Sequence, residues 1–146
     1  MGSGETAVRA VVDWYGVSDL VALAAHPMPA MPAMPASVVF PDPYEALLGG
    51  TAAERPALAR AASPVTYAAD TTATPPPFLL VHGTRDGLVP YSQSEALAAA
   101  LAAAAGEVVL QPVENADHIF LGSPDVPSIV TQSVTFLARH LGGTRT

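Results

Sequence analysis

Phe78-Leu79-Leu80-Val81-His82-Gly83-Thr84-Arg85-Asp86-Gly87 is the stretch that decides the fold. Four apolar residues in a row, without polar alternation, fit a strand covered on both faces, and such strands belong to parallel sheets flanked by helices. The run stops abruptly at a polar turn. Upstream, Val8-Arg9-Ala10-Val11-Val12 has the same design and ends in Asp13-Trp14-Tyr15-Gly16 ahead of Ser18-Asp19. Downstream, Val108-Val109-Leu110 continues through Pro112-Val113 into the loop Glu114-Asn115-Ala116-Asp117-His118. Parallel strands are predicted at about 8–13, 78–82 and 107–113, each opening at its C-terminal end into a polar loop.

Helices fill the intervals. Ser92 and Glu95 have the S-x-x-E spacing of a capping box, Ala96–Ala105 is a strong helix-forming run, and Gly106 stands where a left-handed terminator belongs. This predicts a helix over about 91–105. A second, over about 127–141, carries Val130, Val134, Leu137 and Leu141 at helical spacing as its expected core-facing stripe, broadened by Ile129 and Phe136. Strand, helix, strand, helix in this order is the βαβ pattern of an α/β fold. Between residues 20 and 76 the pattern is less regular. Met28–Ala36 repeats Met-Pro-Ala three times, which suits neither helix nor central strand, so an extended low-complexity insertion is expected at about 25–42. Pro43–Leu48 and Thr51–Ala62 read as two short helices parted by Gly49-Gly50, and Thr74-Pro75-Pro76-Pro77 as a stiff lead into the second strand.

Composition narrows the function. The 146 residues carry 6 Lys+Arg against 13 Asp+Glu, a formal charge of −7. All six cations are arginines, scattered along the chain, which excludes a phosphate-reading surface and disfavours nucleic acid and anionic membranes as partners. Half the residues are hydrophobic and 13 % charged, as expected of one packed domain over residues 1–146. The absence of cysteine removes disulfides, thiolate metal ligands and cysteine nucleophiles together. Met1-Gly2-Ser3-Gly4-Glu5 lacks the basic start and apolar run of a signal peptide, and no stretch has the length of a membrane span, so a soluble chain of undetermined compartment is expected.

The chemistry-bearing pair is Asp86 and His118. Each lies just beyond a buried strand, and in an open parallel sheet catalytic groups gather at the C-terminal strand ends. A carboxylate that fixes an imidazole's tautomer, beside an imidazole that acts as general base, is the pairing such positions suit. Tyr15 and Asp19, past the first strand, are candidates to line an acyl pocket or to form a structural turn. His82 is expected to hydrogen-bond locally. His26 and His140 have no ligand-spaced partners, so no metal and no cofactor are expected. Ser63, Ser92 and Ser94 read as turn and cap residues.

The same residues carry a resemblance. Val8–Gly16 followed by Asp19, then Ala62-Ser63-Pro64-Val65-Thr66-Tyr67, then Pro76–Asp86 with Val89-Pro90 and Gln93-Ser94, then Ala116-Asp117-His118, resembles the C-terminal half of α/β-hydrolase esterases. Within the esterase/lipase superfamily the chain is most similar to the feruloyl-esterase-like (BD-FAE) branch. The resemblance covers nearly the whole chain apart from the Met-Pro-Ala repeat. It implies that Asp86 and His118 match the acid and the base of a Ser-Asp-His triad, and that the intact enzyme acts on small-molecule esters.

The sequence also departs from that pattern. A GxSxG nucleophile elbow and an HGGG-type oxyanion loop are expected upstream of the strand near Val8, and this sequence contains neither. Gly2-Ser3-Gly4 holds a serine between glycines without completing the motif. The expectation is therefore a partial α/β-hydrolase domain whose nucleophile half lies outside this sequence, lost to a misplaced start or supplied by another chain. It should be inactive alone, its Asp86–His118 contact looser than in an intact enzyme and its open sheet edge near Val8 prone to self-association. A prolyl-oligopeptidase-type peptidase and a non-catalytic binding remnant are the competing readings.

Overall fold

The structure, a computed structural model, describes residues 8–26, 43–69 and 74–142. Ser3 and the Met-Pro-Ala repeat, with nearly all of the expected 25–42 insertion, lie outside the described residues. Three strands, β1 (Val11–Trp14), β2 (Phe78–Gly83) and β3 (Val108–Val113), form one parallel sheet in the order β1-β2-β3. The register pairs Val11 with Phe78 and Trp14 with Val81 on one side of β2, and Phe78 with Val108 and Gly83 with Val113 on the other. Because the strands are parallel and nearly level, the loops after β1, β2 and β3 open at the same end. β1 begins later than its apolar run, and Val8 is exposed.

β2 is apolar from Phe78 to Val81 because both of its faces are covered. Leu79 and Val81 pack with Val113, Ala116, Phe120 and Ile129 on one side, while Leu80 packs with Ala68, Leu97 and Leu101 on the other. The helices are α1 (Leu20–Ala24), α2 (Pro43–Leu48), α3 (Pro56–Ala61), α4 (Pro64–Ala69), α5 (Ser92–Ala103) and α6 (Val126–Leu141). Leu20, Leu23, Leu48 and Ala59 make a satellite cluster joining α1, α2 and α3. The helix expected over 51–62 shortens to α3, because Pro56 takes its first position, where a missing N–H is harmless, and Thr51–Glu54 forms a turn of its own. α4 starts the same way, with Pro64 at its first position.

Three sequence expectations are corrected. Ser92 and Glu95 form no capping box: Tyr91 already has helical dihedrals (φ −51°, ψ −30°), so Ser92 is the first full helical residue and no side chain caps the end. Gly106 is not the left-handed residue at the other end; Ala105 is, at φ 58°. The N–H of Gly106 reaches Leu101 O and that of Ala105 reaches Ala102 O, a Schellman closure one residue earlier than expected. Gly106 is instead needed for closeness, since a Cβ there would stand 2.9 Å from Pro75 Cγ and 3.0 Å from Leu101 O. Finally, the stripe Val130, Val134 and Leu141 on α6 faces outward. The packed face is Ile129, Ser133 and Phe136. A serine sits in that face because Ser133 Oγ accepts the indole N–H of Trp14 at 3.0 Å, and hydrophobicity patterning cannot register such a contact.

Candidate active site

The loop after β2 and the loop after β3 are bound into one unit. Thr84 N donates to Val113 O and Arg85 N to Ala116 O, both at 3.0 Å, and Asn115 N donates to Thr84 Oγ1 at 2.9 Å. Asp117 Oδ1 then accepts the N–H groups of Gly87 (2.9 Å) and His118 (2.7 Å), which hold its carboxyl below the usual carboxylate range. Such close approach needs Gly83, whose missing Cβ would run into the carbonyl of Ala116.

The structure brings Asp86 and His118 together within this unit. The Asp86 side chain is fully buried and Oδ2 receives His118 Nδ1 at 2.8 Å, while Oδ1 accepts Leu88 N (3.0 Å) and Val89 N (2.8 Å). The looser contact expected from the sequence is corrected: the backbone bonds between the loops, all internal to this chain, set the distance. A carboxylate has no proton to give in its ionised form, so Nδ1 carries the hydrogen and the lone pair resides on Nε2. With its side chain 28 % exposed, His118 is accessible from solvent while its acid partner is not. The arrangement can abstract a proton at Nε2 and stabilise the resulting imidazolium through Asp86.

Tyr15 and Asp19 part company. The Tyr15 ring lies edge-on to His118 (centroids 4.8 Å apart) and to Phe120 (5.0 Å), and Trp14 meets Phe120 at 5.5 Å, forming an aromatic wall behind the imidazole. Asp19 instead caps α1, its Oδ1 accepting Val21 N and Ala22 N at 2.9 and 3.0 Å. Backbone strain concentrates beside the imidazole. Tyr15 (φ 47°), Asn115 (59°), Ile119 (56°) and Phe120 (60°) are all left-handed, at a cost on the order of 1 kcal/mol or more for each bulky residue. The bonds Asp117 N to Leu121 O (2.8 Å) and Leu121 N to His118 O (3.2 Å) close the turn that imposes this conformation.

Several polar residues that the sequence marked only as turn, cap or locally bonded positions are buried with specific partners. Ser94 contacts His82 Nδ1 at 2.6 Å, and Ser63 Oγ accepts Leu20 N while donating to Ala59 O. Gln93 Oε1 accepts Ser18 N and Asp19 N at 3.0 and 2.8 Å, anchoring the loop after β1 to the start of α5. His82 is wholly buried; its Nε2 lies 2.8 Å from Val89 O and 3.3 Å from Asp86 Oδ2. The hydrogen bonding expected of His82 is present, as an ionisable residue inside a run covered on both faces requires. Asp13, at the end of β1, is pushed above the usual carboxylate range by burial, partly offset by the nearby His82 ring and the N–H of Gly16. Among the described residues no three His, Asp or Glu side chains are grouped to hold a metal ion, and no helix is long and apolar enough to cross a membrane.

The chain is similar to known proteins in sequence and fold. The BD-FAE family model matches residues 2–101. Esterase LipQ of Mycobacterium tuberculosis is 37 % identical over 120 residues, which are 81 % of this chain and 25 % of that protein, so the chain spans about a quarter of its relative's length. A truncated form of a carbohydrate esterase from gut microbiota superposes with a TM-score of 0.67 at 26 % identity, covering 92 % of this chain and 43 % of that one. A puromycin-hydrolysing peptidase of Mycobacterium tuberculosis superposes with a TM-score of 0.62 at 26 % identity, covering 92 % of this chain and 18 % of that one. The parallel sheet with its flanking helices is part of an α/β-hydrolase fold.

Proposed function

This chain belongs to the BD-FAE family, and on that premise we propose that it carries the acid and the base of a serine hydrolase acting on small-molecule carboxylic esters. Asp86 is the acid and His118 the base. The observation that carries this reading is the 2.8 Å contact between Asp86 Oδ2 and His118 Nδ1, on loops at the ends of adjacent parallel strands. His118 Nε2 takes the hydroxyl proton of a serine as that serine attacks the ester carbonyl, and returns it to the departing alcohol. Asp86 holds the ring in the tautomer that leaves Nε2 free to do so. The serine and the oxyanion donors come from polypeptide outside this sequence, which has no GxSxG. Tyr15 backs the imidazole at the substrate edge. Copies of the chain are expected to associate through the open edge of β1.

The coding DNA upstream of Met1 is expected to contain an in-frame GxSxG. Alone, the chain should hydrolyse p-nitrophenyl acetate no faster than free imidazole, because oxyanion donors contribute about 10²- to 10³-fold and need an activated serine to act on. Joined to the part of Esterase LipQ that lies outside the matched 120 residues, it should gain esterase activity that His118→Ala abolishes and Asp86→Asn lowers by about 10⁴-fold. Robust turnover by the chain alone, lost in His118→Ala, would overturn the reading and make Ser3 the first nucleophile to test. The resemblance to a puromycin-hydrolysing peptidase favours one second reading, in which the joined protein cleaves peptidyl anilides in preference to esters.

A further inference from the structure

His82 occupies a position in β2 where every preceding residue is Phe, Leu or Val, and it is completely buried. An imidazole there is desolvated as a leucine would not be, so its polar contacts account for its presence. Nε2 faces two acceptors, the Val89 carbonyl at 2.8 Å and Asp86 Oδ2 at 3.3 Å, so in the neutral ring it bears the proton. Nδ1 then accepts from the Ser94 hydroxyl at 2.6 Å, which selects that tautomer. Val89 is the pivot: its carbonyl receives His82, and its N–H donates to Asp86 Oδ1 at 2.8 Å. His82 thus braces the turn that presents Asp86 and sets the positive end of an N–H dipole beside Oδ2, the oxygen that meets His118.

We propose that His82, oriented by Ser94, is a positioning residue for Asp86, holding the carboxylate so that Oδ2 stays on His118 Nδ1. The proposal rests on the reading of Asp86 and His118 as acid and base. It differs from simple core filling, for which an apolar residue of similar volume would serve as well.

The test is NMR of the full chain with ¹⁵N-labelled histidine. In the unsubstituted protein His118 should show a single Nδ1–H tautomer with a downfield proton resonance, and Asp86→Asn should remove that resonance. If it is absent at the outset, or survives Asp86→Asn, the acid–base reading itself fails and takes the proposal with it. Given the resonance, His82→Leu should lose it and populate both tautomers of His118. His82→Gln, whose amide nitrogen reaches toward the place of Nε2, should restore it. A His82→Leu protein that melts cooperatively with an unchanged His118 resonance would overturn the proposal while leaving the acid–base reading intact. Should His82→Leu fail to fold, Ser94→Ala decides, since it removes only a hydroxyl: the His118 Nδ1–H should exchange faster with solvent, and an unchanged exchange rate would overturn the proposal.

Discussion

Gly83 controls how near the two site loops can come, because the carbonyl of Ala116 fills the space its Cβ would need. Gly83→Ala must push that loop outward or bend β2, and overpacking of this kind costs about 1–3 kcal/mol. A lowered urea midpoint is expected, together with a weakened Asp86–His118 contact; an unchanged midpoint would show that the loops yield freely. Asp13 gives a pH test. Burial holds its folded pKa above the ordinary value of 3.8, so the folded state binds this proton more tightly than the unfolded chain does. Stability tied to Asp13 therefore falls as pH rises through the window from the ordinary to the raised value, and the penalty is fully present above it. Asp13→Asn should be more stable than the parent at pH 7, with the gain vanishing on acidification below the ordinary carboxylate range. Asp117 has the opposite sign, its lowered pKa giving stability that is lost in acid, but it is common to both proteins and cancels in the comparison. At this scale the meeting of Asp86 and His118 was legible, because strand ends are marked by where apolar runs stop. The bonds of Gln93, Ser63 and Ser94 were not, because each depends on a partner that only the packed fold brings near.

α5 and α6 show where local pattern and tertiary packing diverge. The helix-forming run of α5 identified the element, yet both ends shifted, since the start depends on the dihedrals of Tyr91 and the end on which residue turns left-handed. Ala105 is held at φ 58°, a conformation that disfavours any side chain with a Cβ. Ala105→Gly should stabilise the protein by about 1 kcal/mol, read as a higher urea midpoint with unchanged slope. A loss of stability would mean that the alanine methyl makes contacts worth more than the relieved strain. α6 was legible as a helix from its apolar spacing, while its orientation was not. Two apolar stripes lie side by side on it, and the Trp14 indole selects the one containing Ser133.

For the molecule as a whole, the parallel direction of the strands followed from three similar runs, each ending in a polar loop, because parallel strands covered on both faces lose their alternation. What surrounds the sheet did not follow, since a helix periodicity says which residues share a face but not what covers it. On α6 the side chains of Val130, Val134 and Leu141 are 43 %, 60 % and 52 % exposed. β1 pairs with β2 alone among the described residues, leaving its outer row of N–H and C=O groups without a partner strand there. An exposed apolar helix face and an open strand edge each drive association. The purified chain should therefore sediment and scatter light as species larger than a 14.9 kDa monomer, increasingly so with concentration. Val130→Lys together with Val134→Lys should shift it toward monomer, because the lysines keep the face solvated without touching the packed side at Ile129 and Phe136. Persistent association in the double variant would assign the contact to the β1 edge alone, and a parent that stays monomeric at high concentration would refute both.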